Sequence, residues 1–327
     1  MSTKRWSSAL AALLLSLSLA LAACGDDDGD DGGGGDGDAA GEQADAIVAN
    51  PDNGDVAITI GSKNFTEQKI LGEIFAQALS AAGYDISKQL NLGDEQTALR
   101  ALRNGDIDAY PEYTGTALLS FFEVPSDELP SDPQEAYEQV RAGFEELGLT
   151  AFEPTPFTNS NEVATTQETA DELGLETISD LDGQAGDLTL YGTPECRQRR
   201  DCLLGLQDVY GLQFAEFVPV AIDLRHAVLT RGEADLSIVF TTDPQIQREG
   251  FALLADDMGI FPPYNSTLVV RDEVVTEAGP DLERLVGQVE QGLTNEAMQE
   301  LNARVDLDKQ TPQQVASEYL SETGLVN

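Results

Sequence analysis

The 327-residue chain is poor in the residues that metal and acid–base chemistry draws on, with one histidine, three cysteines and one tryptophan. His226 and so few thiols leave no His/Cys set for a resident metal. No nucleophile elbow, phosphate-cradling glycine loop or metal-ligand motif occurs, so no cofactor and no catalytic machinery are expected. Positive charge is scarce as well: 18 Lys+Arg, five of them lysines, face 59 Asp+Glu, for a formal net charge of -41. Both nucleic acid and anionic membrane surfaces repel such a chain, so nucleic acid is excluded as a partner and an anionic membrane surface is a poor one. Two causes of the acidity stay open, a highly hydrated surface and adaptation to high external salt. With 41% hydrophobic residues the chain can still build a sizeable core, as one large α/β unit or two lobes.

The N-terminus is not part of the fold. Lys4 and Arg5 precede an almost unbroken apolar run from Ala9 to Ala20, slightly short of a membrane span, and Leu21-Ala22-Ala23-Cys24 follows. Residues 1–23 read as a signal peptide. The ending resembles the lipobox of bacterial lipoproteins, which implies a diacylglyceryl group on Cys24; an ordinary signal peptide with a chance cysteine is the alternative. The Gly/Asp/Ala-rich stretch that follows cannot bury enough apolar surface to offset its ordering entropy, so 24–55 is expected to be a disordered acidic tether. An anchor, a tether and a globular body describe an extracytoplasmic protein held at the outer face of the cell membrane. Of the remaining cysteines, Cys196 and Cys202 are an even pair in an exported chain and read as a disulfide stapling a surface loop.

From Val56 onward, strands alternate with helices. Val56–Ile60 is β-rich. Asn64 stands three residues before Glu67, a capping-box spacing, and Ile70, Leu71, Ile74, Phe75, Ala78 and Leu79 recur at helical intervals. A second helix through Leu99 and Leu102 stops at Asn104-Gly105, and a third covers 133–147. Residues 150–157, with Pro154 and Pro156, read as an extended connector. The alternation then resumes, with strands at 217–220, 235–240 and 267–270 and helices from Pro280 on. Two α/β blocks suggest two lobes with a cleft between them, lobe 1 from 56–157 plus 270–327 and lobe 2 from 158–269. Ligands of such sheets lie beyond strand ends.

Aromatics are only 6% of the chain, yet Tyr110, Tyr113, Phe240 and Tyr264 fall at predicted strand ends. Aromatic faces hold a quaternary ammonium, which has no N–H to offer a carboxylate. Gly61-Ser-Lys-Asn-Phe-Thr-Glu-Gln68, Tyr110-Pro-Glu-Tyr-Thr-Gly-Thr116, Asp223-Leu-Arg225 and Phe261-Pro-Pro-Tyr264 occur in order and resemble the substrate-binding lipoproteins of osmoprotectant (glycine betaine, choline, carnitine) ABC importers.

The resemblance implies an α/β, two-lobed periplasmic-binding-protein fold of type II, closing on a ligand in the interlobe cleft. It implies a cage of Tyr113, Phe240 and Tyr264, with Arg225 gripping a ligand carboxylate and Asn159, Thr116 and Gln68 lining the site. Asn161 stands where many relatives have a fourth tyrosine. A three-sided cage follows, which Asn161→Tyr would complete, with Tyr110 and Tyr84 the candidates for compensation. The expected partners are a quaternary-ammonium solute, the permease and ATPase of an importer, and the membrane through the lipid. The same fold binding an amino acid, a polyamine or an anion is the alternative. An exported hydrolase or structural surface lipoprotein has no positive support, since Glu112 and Asp243 are merely near the expected cleft.

Overall fold

The computed structural model describes residues 46–125 and 128–326; the signal segment, Cys24 and the tether up to residue 45 lie outside the described residues. Among the described residues, ten strands form two five-stranded sheets. The first runs β2 (Asp85–Gln89), β1 (Ala57–Gly61), β3 (Ala109–Tyr113), β10 (Ser266–Arg271), β4 (Leu149–Ala151). The second runs β7 (Glu216–Pro219), β6 (Thr189–Gly192), β8 (Leu236–Phe240), β5 (Asn161–Thr166), β9 (Phe251–Leu254). The two are built alike. Each has three parallel strands followed by one antiparallel strand, β10 in the first sheet and β5 in the second. β5 is the first strand formed on entering lobe 2 and β10 the first on returning to lobe 1, so each crossing runs directly into the antiparallel strand of its sheet. A bridge between Thr158 and Asn265 ties the crossings together. This is the type II arrangement that the resemblance implies.

Local chemistry accounts for most elements. Helix Thr66–Ala81 buries Ile70, Leu71, Ile74, Phe75, Ala78 and Leu79 against the first sheet and the C-terminal helices Pro280–Glu290 and Pro312–Glu322. On the opposite face, Glu95–Asn104 and Pro133–Glu145 pack with Tyr110, Leu118 and Val269. Asp94 caps the first of these by accepting the Thr97 N–H at 2.8 Å, and Gly105 ends it at φ 77°. Asp132 caps the second, with Pro133 in the first turn. Lobe 2 has its own core around Leu181, Leu190, Leu206, Leu236 and Leu254.

Several expectations change. Residues 46–55 are ordered: Ile47 N–H pairs with Leu325 O, and Pro51–Asp55 forms a short 3-10 turn whose buried Asn53 donates to Ala82 O at 3.0 Å. Enough partners exist there to hold polar chain in place. The return to lobe 1 precedes residue 270, because Ser266 already pairs with Tyr113. Strand β2 has no apolar alternation to betray it, being a polar edge strand. The expected connector contains β4. Nor does Asn64 cap the first helix. Phe65 occupies the cap position without a side-chain bond, and Glu67 is spent elsewhere.

Candidate functional site

A cavity of about 330 Å³ lies between the lobes, reached by side chains from both sheets and both crossings. Four aromatics line it: Phe65, Tyr113, Phe240 and Tyr264. Phe65 precedes the first helix and stands at the corner of the group, 6.2 Å from Tyr113 and 5.6 Å from Phe240 between ring centroids. Tyr113 ends β3 and Phe240 ends β8, so the strand ends of the two lobes face one another here. Where three aromatic walls are expected, four rings line the cavity, Phe65 being the fourth. It lies inside a quoted motif, but it reads from sequence as an ordinary apolar residue at a helix start. Tyr110 and Tyr84 do not compensate, since both are buried in the first lobe's cores and neither lines the cavity.

The turns carrying Tyr113 and Tyr264 are locked together. Thr114 N–H pairs with Asn265 O, Thr114 Oγ1 donates to Pro263 O at 2.7 Å, and Tyr264 N–H donates to Thr158 Oγ1 at 3.1 Å. Both tyrosine hydroxyls donate to buried carboxylates, Tyr113 to Glu67 at 2.7 Å and Tyr264 to Asp201. Burial and these neighbouring charges push both phenols well above their ordinary range, so they are neutral donors.

Seven of the eight expected site residues line the cavity: Tyr113, Phe240, Tyr264, Arg225, Asn159, Asn161 and Thr116. Gln68 does not. It is fully buried behind the wall, where its Oε1 accepts the Lys63 N–H at 3.3 Å. Asn161 is not an open wall, because its Nδ2 donates to Asp201 O at 3.0 Å and to Asp201 Oδ2 at 2.7 Å.

Three cations border the cavity, and each is already paired with an acid. Lys63 Nζ pairs with Glu112 and lies 4.6 Å from the centroid of the Tyr113 ring. Arg199 grips Asp201 through Nε at 2.8 Å and Nη2 at 2.5 Å, and reaches across to Glu95 of the first lobe at 3.2 Å. Arg225 grips Asp243 through Nε at 3.2 Å and Nη2 at 2.5 Å, donates Nη1 to Ile222 O, and covers the Phe240 ring at 4.4 Å. Burial raises Asp243, but the Arg225 charge and the His226 hydrogen bond outweigh it and hold the carboxyl below its usual range. His226 is thus a second support for Asp243, at 2.7 Å. Lys63 and Arg199 were not foreseen as wall residues; no periodicity signals them.

Cys196 and Cys202 are bonded, with Cα atoms 5.2 Å apart, and both line the cavity at 2% exposure. The loop they close carries Arg199 and Asp201. It is part of the site wall, and the expectation of a surface staple is corrected accordingly.

The family model for the substrate-binding domain of ABC-type glycine betaine transport systems matches residues 56–322. A glycine-betaine-binding protein of Pseudomonas aeruginosa is 34% identical over 281 residues, covering 83% of this chain and 89% of that one. The carnitine transport binding protein OpuCC of Listeria monocytogenes is 29% identical over 267 residues, covering 80% and 85%. A solved glycine betaine/carnitine/choline ABC transporter structure superposes with TM-score 0.67 at 27% identity, covering 81% of this chain and 98% of the other. With nearly the whole folded body matched, the chain belongs to the family of substrate-binding domains of ABC-type glycine betaine transport systems.

Proposed function

We propose that this chain captures a quaternary-ammonium compatible solute, such as glycine betaine or choline, outside the cell membrane and delivers it to the permease and ATPase of an importer. The observation that carries this reading is the convergence of Phe65, Tyr113, Phe240 and Tyr264 on one cavity between the lobes. Aromatic faces attract a cation that lacks N–H groups, and such a contact is worth about 1–2 kcal/mol when desolvated.

The carboxylate end is held less firmly. Arg225 lines the cavity, and a ligand carboxylate would have to share its guanidinium with Asp243. Lys63 and Arg199 would be shared likewise with Glu112 and Asp201. Asp94, Glu95 and Glu195 also stand on the wall. This balance favours ligands with a net positive charge over zwitterions, so choline is expected to bind at least as well as glycine betaine. A thermal-shift and calorimetry panel of glycine betaine, choline, carnitine, proline betaine, ectoine and amino acids tests it, because only ligands of the folded state raise the melting temperature. Stabilisation by amino acids alone would refute the cage. Phe65→Ala should weaken choline binding about 5- to 30-fold.

The lipobox-like Leu21-Ala22-Ala23-Cys24 supports attachment of the mature chain to the membrane through a lipidated Cys24. Among the described residues no helix is long and apolar enough to cross a membrane. Cys24→Ala should release the folded protein from membranes; absence of labelled fatty acid from the wild type would refute the anchor.

A further inference from the structure

Glu67 breaks a local rule. It stands in the first turn of helix Thr66–Ala81, where an acidic side chain ordinarily turns back to the free backbone N–H groups. Instead it points inward, 2% exposed, and accepts four hydrogen bonds. Tyr113 Oη and Asn159 Nδ2 donate to Oε1, each at 2.7 Å; Thr242 Oγ1 and Asn302 Nδ2 donate to Oε2 at 2.6 and 2.9 Å. Those four donors come from β3, the first crossing, the loop after β8 in lobe 2, and helix Asn295–Asp306. Burial pushes this carboxyl above its usual range, opposed by the four hydrogen bonds, each of which favours the ionised form; four donors satisfy that form, which only accepts. Among the described residues no lysine, arginine or histidine forms an ion pair with it, unlike Glu112, Asp201 and Asp243.

The same motif recurs across the cavity. Tyr264 Oη donates to Asp201 Oδ2, and Asp201 is fully buried. Each tyrosine of the cage is therefore backed by a carboxylate, whereas the two phenylalanines have no polar handle. Donating a phenol hydrogen to an anion shifts electron density toward the ring. The ring face becomes more negative, and attraction for a cation depends on that charge. The carboxylate charge itself also acts through a weakly screening interior. Anchored hydroxyls further hold the rings in place before the ligand arrives.

We propose that Glu67, and to a smaller degree Asp201, are specificity-determining residues of the cage, carboxylates set behind Tyr113 and Tyr264 that make the pocket prefer a quaternary ammonium to a neutral group of the same shape. The inference rests on the cage reading above. Glu67 has the larger share because Arg199 neutralises Asp201 through two hydrogen bonds.

The probes are choline and 3,3-dimethylbutan-1-ol, its neutral carbon isostere. Their affinities for the full chain are compared by calorimetry, directly and by displacement, in the wild type, Glu67→Gln, Asp201→Asn and Tyr113→Phe. Glu67→Gln is expected to reduce the choline-to-isostere preference about 5- to 10-fold, with the isostere itself changing about twofold or less. Asp201→Asn should reduce it less. Tyr113→Phe removes the same hydrogen bond from the other side, so it carries the test should Glu67→Gln fail to fold by circular dichroism, and its preference should fall as well. Parallel loss of both affinities would show a merely structural role and overturn the inference. So would an unchanged preference. A wild type that binds neither probe would overturn the cage and this inference together, whereas a wild type with a strong choline preference retained in Glu67→Gln and Tyr113→Phe overturns the inference alone.

Discussion

Gly115 lies flat against the ring of Tyr264. A Cβ at position 115 would stand 2.5 Å from Cε1 and 2.7 Å from Cδ1 and Cζ, closer than carbon atoms can approach. The glycine of Glu-Tyr-Thr-Gly-Thr is thus an empty seat for the tyrosine of Pro-Pro-Tyr, and two motifs far apart in sequence are fitted to each other. Gly115→Ala is expected to push the ring out of the cavity and break its bond to Asp201. Choline affinity should drop about tenfold, a single contact's worth of cation–π energy, while the fold survives. Calorimetry and circular dichroism check this; full affinity in the alanine variant would mean that the ring is free to move.

Asn161→Tyr should not complete the cage, contrary to what the sequence alone suggests. The amide of Asn161 holds both the carbonyl and the carboxylate of Asp201, which is fully buried. Replacing it deprives a buried acid of a donor, at a cost of about 1–3 kcal/mol. We expect lower melting temperature and weaker binding of every quaternary ammonium. Tighter choline binding would show that the ring gain exceeds the polar loss.

Opening the Cys196–Cys202 bridge should cost both stability and binding. On the chain-entropy model so short a loop contributes about 2 kcal/mol. Because Arg199 and Asp201 sit within it, the Cys196→Ser/Cys202→Ser double variant is expected to lose choline affinity even at temperatures where it is folded. Affinity equal to the wild type would reduce the bridge to a staple of stability alone.

Stability should fall between about pH 4.5 and pH 7, in part because of Glu162. Burial, with the charge of Asp256 behind it, pushes this β5 carboxyl from 4.5 up to about 7. Below pH 4.5 both folded and unfolded chains hold the proton. Between the two values only the folded chain does, so rising pH favours unfolding until both have released it above about 7. Glu162→Gln removes the penalty and is expected to be more stable than the wild type by about 1–3 kcal/mol at pH 8, after allowance for the side chain's partial exposure, and by little at pH 4. Urea denaturation at the two pH values reads the difference; an equal gap at both would exclude titration of Glu162 as the cause.

Much of this protein was written along the chain. Alternation of β-rich runs with helical stripes such as Ile70, Leu71, Ile74 and Phe75 specified an α/β body, because burial periodicity is local chemistry repeated. Scarcity of histidine and cysteine left no His/Cys set for a metal centre, two of the four motifs marked Tyr113 and Tyr264, and its place at a predicted strand end marked Phe240. What the chain could not state was how its segments meet. Phe65 came to line the cavity because the folded lobes bring Tyr113 and Phe240 beside it, and Glu67 abandoned its expected cap for Tyr113, Asn159, Thr242 and Asn302 because the same folding brings those groups within hydrogen-bonding reach. Arg225 was recognisable as an arginine beside the cleft. Its commitment to Asp243, eighteen residues away, depends on the turn after β8 folding back onto it. The disulfide pair was legible by counting, but its place on the cavity wall was set by where lobe 2 packs its loop. Local pattern determines which elements form and which faces they bury; the partners of a buried polar group are chosen in three dimensions, where an unsatisfied charge costs more than any local preference can offset.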